Sequence, residues 1–295
     1  MTTVDWGQEQ IFSEKTSNRG LAIKPFLKWA GGKQQLLTQF DPYFPPNFSR
    51  YFEPFLGGGA IFFHLVNTAR LPEQIYLSDN NEELINAYTV VRDQVEALIK
   101  QLVQHQEKHN KDYYYQVRSW DRTGRQLNDV ERAARTIYLN RTCYNGLYRV
   151  NQKGQFNVPL GSYKNPQIVR PQTLRVASTA LQGVTLQTRN FHKIVDVAQV
   201  GDFFYFDPPY DPVSKTANFT SYTAVTFTEE DQERLADVFA QLSAKGCYCM
   251  LSNSHTSFIC RLYQDFRIET VLANRAINSK GNGRGRIKEV VILNA

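Results

Sequence analysis

Short apolar runs of strand length alternate along this chain with amphipathic helical stretches, and that alternation restricts it to an α/β architecture. YFEPF at 51–55 reads as a strand, followed by three glycines and an apolar helix through Ala60–Val66. IYLSD at 75–79 is a second strand. A long helix follows, in which Leu84, Tyr88, Val91, Val95, Leu98 and Leu102 step by three and four. From about 104 to 186 the texture changes to Tyr/Arg-rich helices and then a hairpin-like stretch. The strand pattern resumes with DFFYFD at 202–207. Thr228, three residues before Asp231, opens another helix in capping-box fashion, and Gly246 closes it. CYCMLS and EVVILN complete the strand set. The expected organisation is a polar leader at 1–24, a discontinuous α/β domain at 25–103 and 187–295, and an inserted, mainly helical domain at 104–186 bearing a β-hairpin.

The composition excludes some classes. With 295 residues there is ample material for a core, and 13% aromatic residues rule out intrinsic disorder. No apolar run approaches the roughly 18 residues that span a bilayer. The leader lacks an apolar signal-peptide core, so a cytoplasmic protein is expected, in which the glycosylation-like tripeptides at Asn47, Asn140 and Asn218 carry no meaning. The net charge of +6 is uneven: residues 101–185 hold 13 Lys/Arg against 5 Asp/Glu, a local +8 that leaves −2 elsewhere. A basic segment inside a near-neutral scaffold is what a nucleic-acid footprint requires.

Metal and redox chemistry find little support. Cys247 and Cys249 share one strand face, with neither zinc nor thioredoxin spacing, and read as buried thiols like Cys143 and Cys260. In HQEKH at 105–109, Gln106 stands where a zincin needs Glu, so the stretch reads as a solvated polar face. No metal is expected.

Two motifs carry chemistry. Phe55-Leu56-Gly57-Gly58-Gly59 lies between a strand and a helix, where glycines let the backbone approach a ligand; alone it reads more readily as a plain tight turn. Asp79 ends the next strand 22 residues after Gly57, where nucleotide-binding α/β folds place the acid that binds ribose hydroxyls. The glycines do not match the dinucleotide fingerprint, and Lys33 in AGGKQQ lacks the Ser/Thr of a P-loop. The second motif is Asp207-Pro208-Pro209-Tyr210, directly after FFYF. Two prolines without amide protons force an extended turn with free carbonyls. An acid, a free carbonyl and an aromatic face together suit a planar ring bearing an exocyclic amine.

FLKWAGGK at 26–33, FEPFLGGGAIF at 52–62, LSDNN at 77–81 and DPPY at 207–210 resemble, in order, the motifs of the Dam-type (D12 class, alpha group) adenine-N6 DNA methyltransferases. NRTCYNGLYRVNQKGQFNVPLGSYK at 140–164 resembles that family's recognition hairpin, and NFTSYTAVTFTEEDQ at 218–232 its segment after DPPY. The resemblance covers roughly residues 25–290. It implies a Rossmann-like methyltransferase sheet, S-adenosylmethionine as donor, and duplex DNA as partner, with an adenine of GATC flipped out as acceptor. It implies that Trp29, Lys33, Phe55, Gly57, Gly59, Asp79 and Asp207 bind the cofactor, and that Asp207, Pro208 and Tyr210 act on the amine. Lys28, Tyr144, Asn145, Leu147, Arg149, Pro159 and Tyr163 match DNA-contacting positions, Arg149 as the base reader and Tyr144 as the ring that enters the vacated stack. The enzyme is expected to act as a monomer, beside a restriction enzyme or alone.

Three other readings compete: a cytosine-N4 methyltransferase, opposed by the inserted hairpin; a DNA-binding protein without activity, opposed by the complete set Gly57, Asp79 and Asp207; and a nicotinamide oxidoreductase, opposed by the broken fingerprint. Arg275, Lys280, Arg284, Arg286 and Lys288, around NSKGNGRGR, are either phosphate-tracking or simply solvated.

Overall fold

The computed structural model describes residues 22–29, 31–212, 227–274 and 286–295. The leader up to 21, most of the segment 218–232, and Arg275, Lys280 and Arg284 lie outside them. Among the described residues seven strands form one sheet: β1 (Arg50–Glu53), β2 (Gln74–Asp79), β3 (Thr185–Thr188), β4 (Phe203–Phe206), β5 (Tyr248–Ser254), β6 (Arg267–Asn274) and β7 (Arg286–Leu293). Their order is β3-β2-β1-β4-β5-β7-β6, parallel except for β7, which runs against both β5 and β6.

The all-aromatic β4 explains why this sheet is covered on both faces. Side chains alternate across a strand, so Phe203 and Tyr205 enter one core with Tyr51, Leu77 and Met250. Phe204 and Phe206 enter the opposite core with Phe52, Leu251 and Ile292. Phe52 stands in register with both Tyr76 and Phe204. The rings stack across three strands at 4.6 and 4.5 Å, contacts worth about 0.5–1.5 kcal/mol each beyond area burial.

Helices follow the strands: α1 (Ala60–Asn67), α2 (Glu82–Asp93), α3 (Val95–Lys108), α4 (Lys111–Arg118), α5 (Asp129–Thr142), α6 (Pro171–Leu181), α7 (Glu229–Ala244) and α8 (Ser257–Leu262). The capping box that opens α7 is formed: Thr228 Oγ1 accepts from Asp231 N–H while Asp231 accepts from Thr228 N–H.

The single long helix read through Leu84–Leu102 is in fact two. The chain breaks at Gln94 (φ −138°, ψ 39°). The Arg92 carbonyl accepts bonds from Ser178 Oγ at 3.1 Å and Gln182 Nε2 at 2.9 Å, so α6 and the residue after it take up a carbonyl at the break. His105 is not on a solvated face either. It is buried, stacked on Tyr138 and hydrogen-bonded to Tyr113, and burial holds its pKa down to about 4. The basic segment shares the scaffold's core, since Ala134, Ile137, Phe156 and Val158 belong to the same buried cluster as Tyr51 and Phe203. β3 pairs with β2 from Thr185 onward, so the sheet resumes there. Among the described residues no helix is long and apolar enough to cross a membrane.

Candidate active site

The chain leaves β1 toward β2 on one side and leaves β4 toward β5 on the other. The carboxyl ends of β1 and β4 therefore flank a topological switch point, where open α/β sheets form their ligand crevices. Glu53 ends β1, Asp79 ends β2 and Asp207 follows β4.

Behind β1 the chain turns through Gly57 and Gly59, both in the left-handed region (φ 47° and 66°). A Cβ at Gly59 would lie 2.8 Å from the Tyr88 hydroxyl, and one at Gly57 2.9 Å from Trp29 Cδ1. Only glycine fits either place. The Asp79 carboxylate fastens the turn, accepting from Gly57 N–H at 3.1 Å and Asn81 N–H at 3.0 Å. Asn81 in turn caps α2. Phe55 packs away from the glycines, stacked on Phe191 at 5.3 Å.

The three acids differ. Burial pushes Glu53 up to about 8, against a hydrogen bond from the Tyr51 hydroxyl, with Asp207 and Asp79 adding repulsion. Burial raises Asp79 to about 6, opposed by its backbone donors. Glu53 is thus protonated at neutral pH in the folded chain and ionised in the unfolded one. Its contribution to stability is complete below its ordinary value near 4.5 and is lost as pH rises through about 8. Glu53→Gln keeps the acceptor for Tyr51 but not the titration. Thermal unfolding should therefore show a smaller fall in Tm from pH 5 to pH 8 in the variant than in the parent, by several degrees. Parallel profiles would refute a titrating Glu53.

Asp207 is more exposed and is held by charge. Lys33 Nζ lies 2.7 Å from its Oδ1, and Ser252 Oγ donates to the same oxygen at 3.1 Å. Burial raises the Asp207 pKa, and the Lys33 ammonium and Ser252 hydroxyl oppose it. Lys33 itself is 4% exposed, donates to the Gly31 carbonyl at 2.6 Å and lies 4.5 Å over the Tyr210 ring. Tyr210 donates to Glu289 on β7 at 2.8 Å. Gln232 on α7 donates to the Pro209 carbonyl at 2.9 Å and accepts from Asn253, which also takes Asp211 N–H. The proline turn is thereby clamped from α7 and β5. No described residue hydrogen-bonds Asp207 Oδ2 or the Pro208 carbonyl.

The residues expected to touch DNA gather beside this crevice. The hairpin at 147–158 pairs through one bridge, Val150 with Phe156, and its turn is closed by Asn151, which accepts from Lys153 and Gln155 N–H groups. Tyr144 is 51% exposed, its N–H bonded to the Pro159 carbonyl, and Asn145 beside it has φ 54°. Lys28 packs against Gly146, with Nζ 4.0 Å over the exposed Tyr163 ring. The Leu147 carbonyl accepts from the Cys143 thiol. Arg149 is exposed, its Nε bonded to Asn157 Oδ1 at 2.7 Å.

Much of the segment's positive charge is spent internally. Arg132 bridges Glu82 and Glu83, Arg175 pairs with Glu96, and Asp121 takes both Arg122 and Arg135. Arg118 and Arg122 donate to the Val158 and Phe156 carbonyls and so brace the hairpin. The local +8 therefore marks a charge-built support as much as a docking face.

Glu53, Asn81, Tyr88, Tyr148, Gln232, Ser252, Asn253 and Glu289 also build the site, although sequence reasoning passed over them. The acid of Glu53-Pro54, inside a strand otherwise apolar, was the one visible signal. Among the described residues no three His, Cys, Asp or Glu side chains converge as a metal site would need.

Residues 29–277 match the family described as D12 class N6 adenine-specific DNA methyltransferase. The chain is 46% identical to the type II methyltransferase M1.LlaDCHI of Lactococcus lactis subsp. cremoris, over 92% of this chain and 95% of that one. It is 42% identical to the type II methyltransferase M.MjaIII of Methanocaldococcus jannaschii, over 93% of this chain and all of that one. With the DNA adenine methylase of Escherichia coli strain K12 it shares 34% identity, over 92% and 95% of the two chains.

Proposed function

The chain belongs to the D12 class of N6 adenine-specific DNA methyltransferases, and from that premise we propose that it moves the methyl group of S-adenosylmethionine to the exocyclic amine of an adenine flipped out of duplex DNA, within GATC. The observation that carries this reading is Asp207 beyond β4, with Oδ1 taken by Lys33 and Ser252 and Oδ2 without a hydrogen bond from any described residue, at the strand ends where Glu53 and Asp79 also lie.

The residues present fit the cofactor. Gly57 and Gly58 meet Trp29 so closely that a Cβ on either would crowd its side chain, so the turn presents bare backbone beside Trp29 as a cradle. Each Asp79 oxygen accepts one backbone N–H and keeps a lone pair for a ribose hydroxyl. Gly59 lets α1 start tight against that cradle. The carboxylates of Asp79 and Asp207, at the strand ends on either side of β1, suit a sulfonium cation. S-adenosylmethionine, when bound, supplies an electrophilic methyl group.

Everything else falls to the chain. An adenine amine is a poor nucleophile because its lone pair is delocalised into the ring. Asp207 Oδ2 accepts one amine hydrogen and the Pro208 carbonyl the other, which favours a pyramidal nitrogen and stabilises its growing positive charge. The Pro209 carbonyl, occupied by Gln232, does not compete. Tyr210 offers its ring to the flipped base, at an unstacking cost of about a few kcal/mol. The exposed Tyr144 fills the gap in the stack. Lys28, Asn145, Leu147, Arg149, Pro159 and Tyr163 line the duplex, with Arg149 reading a base.

Methyl-labelled S-adenosylmethionine and duplexes carrying GATC or a permuted site test this. Label is expected in N6-methyladenine of the GATC duplex, with loss of cleavage by nucleases that methylation blocks. Label in cytosine, or equal labelling of both duplexes, would overturn the assignment.

A further inference from the structure

Tyr148 lies between Leu147 and Arg149, in the run assigned above to base reading, yet its ring points back toward the strand ends. It stacks on Trp29 at 5.6 Å and 26°, and meets Phe156 of the hairpin edge-on at 5.8 Å. Burial pushes its hydroxyl up to about 12, and the neighbouring Asn81 side chain opposes that rise. Both partners belong to the cofactor side. The Trp29 side chain lies against Gly57 and Gly58, and the Asn81 N–H binds the same Asp79 carboxylate that holds Gly57. The contacts form a chain: Tyr148 to Trp29, Trp29 to the glycine turn, the turn to Asp79, and Asp79 to Asn81. A shift of the hairpin at Arg149 carries Tyr148 with it and presses on Trp29 or is resisted by it.

We propose that Tyr148 is a positioning residue that couples target reading to cofactor binding: engagement of the cognate duplex seats Tyr148 on Trp29 and thereby tightens the cofactor loops. This rests on the functional reading above. Coupling between two ligands is reciprocal, so a cofactor-side ligand must also tighten the hold on cognate DNA. Arg132, which ties α5 to Glu82 and Glu83 in the first turn of α2, braces the same junction without touching either ligand's residues.

The test is a thermodynamic cycle. The affinity of S-adenosylhomocysteine, which cannot be turned over, is measured without DNA, with a GATC duplex and with a permuted duplex. The parent should bind it roughly 5- to 150-fold more tightly with the GATC duplex, the usual span of such coupling. The permuted duplex should give a smaller factor. Tyr148→Leu should bring the GATC factor to within about twofold of one. Loss of packing alone would change the binary affinity or Tm and leave the ratio intact. Tyr148→Phe keeps the ring on Trp29 and should retain most of the coupling. A parent that binds neither S-adenosylhomocysteine nor the GATC duplex sinks the functional reading itself. A parent that binds both without coupling overturns this proposal alone. So does a Tyr148→Leu variant with parental coupling, or a folded Tyr148→Phe variant as uncoupled as Tyr148→Leu.

Discussion

Asp207→Asn is expected to lower the rate of methyl transfer by at least about 10²- to 10³-fold, the scale for removing one preorganised transition-state contact. Binding of S-adenosylhomocysteine should stay within a few-fold of the parent. The asparagine oxygen can still accept from Lys33 and Ser252, which now both hold Oδ1. The loss falls on the other side of the carboxyl group. Oδ2 becomes an NH₂, which offers hydrogens to an amine that needs an acceptor, and the negative charge facing a nascent ammonium is gone. Lys33 does not become an isolated buried cation, because Glu289 also faces it: burial raises the Glu289 pKa, and the nearby Lys33 ammonium opposes that rise. The variant should therefore fold, and single-turnover rates with preformed enzyme–duplex complexes isolate the chemical step. Turnover within about tenfold of the parent would remove Asp207 from the mechanism.

Asp207 was legible because its neighbours are extreme: two prolines after an unbroken aromatic strand leave few conformations. Asp79 and the glycines were legible for a similar reason, since backbone geometry restricts residue choice there. The strands that escaped notice, β3 and β6, lie at the two sheet edges. An edge strand is covered incompletely, so Thr185–Thr188 lacks the apolar run that betrays β4. The break at Gln94 was hidden because hydrophobic periodicity runs through it: the compensating donors, Ser178 and Gln182, are more than 80 residues away. Glu289, Gln232 and Asn253 were hidden likewise. Each serves the site through a partner on another element, and no local pattern marks a residue whose work is done across the sheet. The charge argument was legible in sign and misleading in use. Composition counts Arg132 and Arg149 alike, whereas the fold gives one to an ion-pair cluster and leaves the other exposed.

That exposure sets the second large effect. Among the described residues Arg149 is held by Asn157 alone, its Nε donating to Oδ1 at 2.7 Å and Nη2 to the carbonyl at 3.5 Å, while Asn157 N–H binds the Arg149 carbonyl across the hairpin at 3.0 Å. A guanidinium oriented this way keeps Nη1 and the second hydrogen of Nη2, whose bond to Asn157 is long, for a bidentate partner. In the major groove that partner is O6 and N7 of guanine. Arg149→Ala should therefore cost about 1–3 kcal/mol at one base pair, a loss of roughly 5- to 150-fold in discrimination. Methylation of duplexes substituted singly at each position of GATC would show the preference collapsing at that pair and surviving at the others. Asn157→Ala leaves the arginine in place but unguided, so it should lose part of the same discrimination at the same position. A phosphate contact behaves otherwise. It would weaken all duplexes alike and lower the salt slope of binding by about one. A uniform loss of that kind would assign Arg149 to the backbone and move the base reading elsewhere on the hairpin.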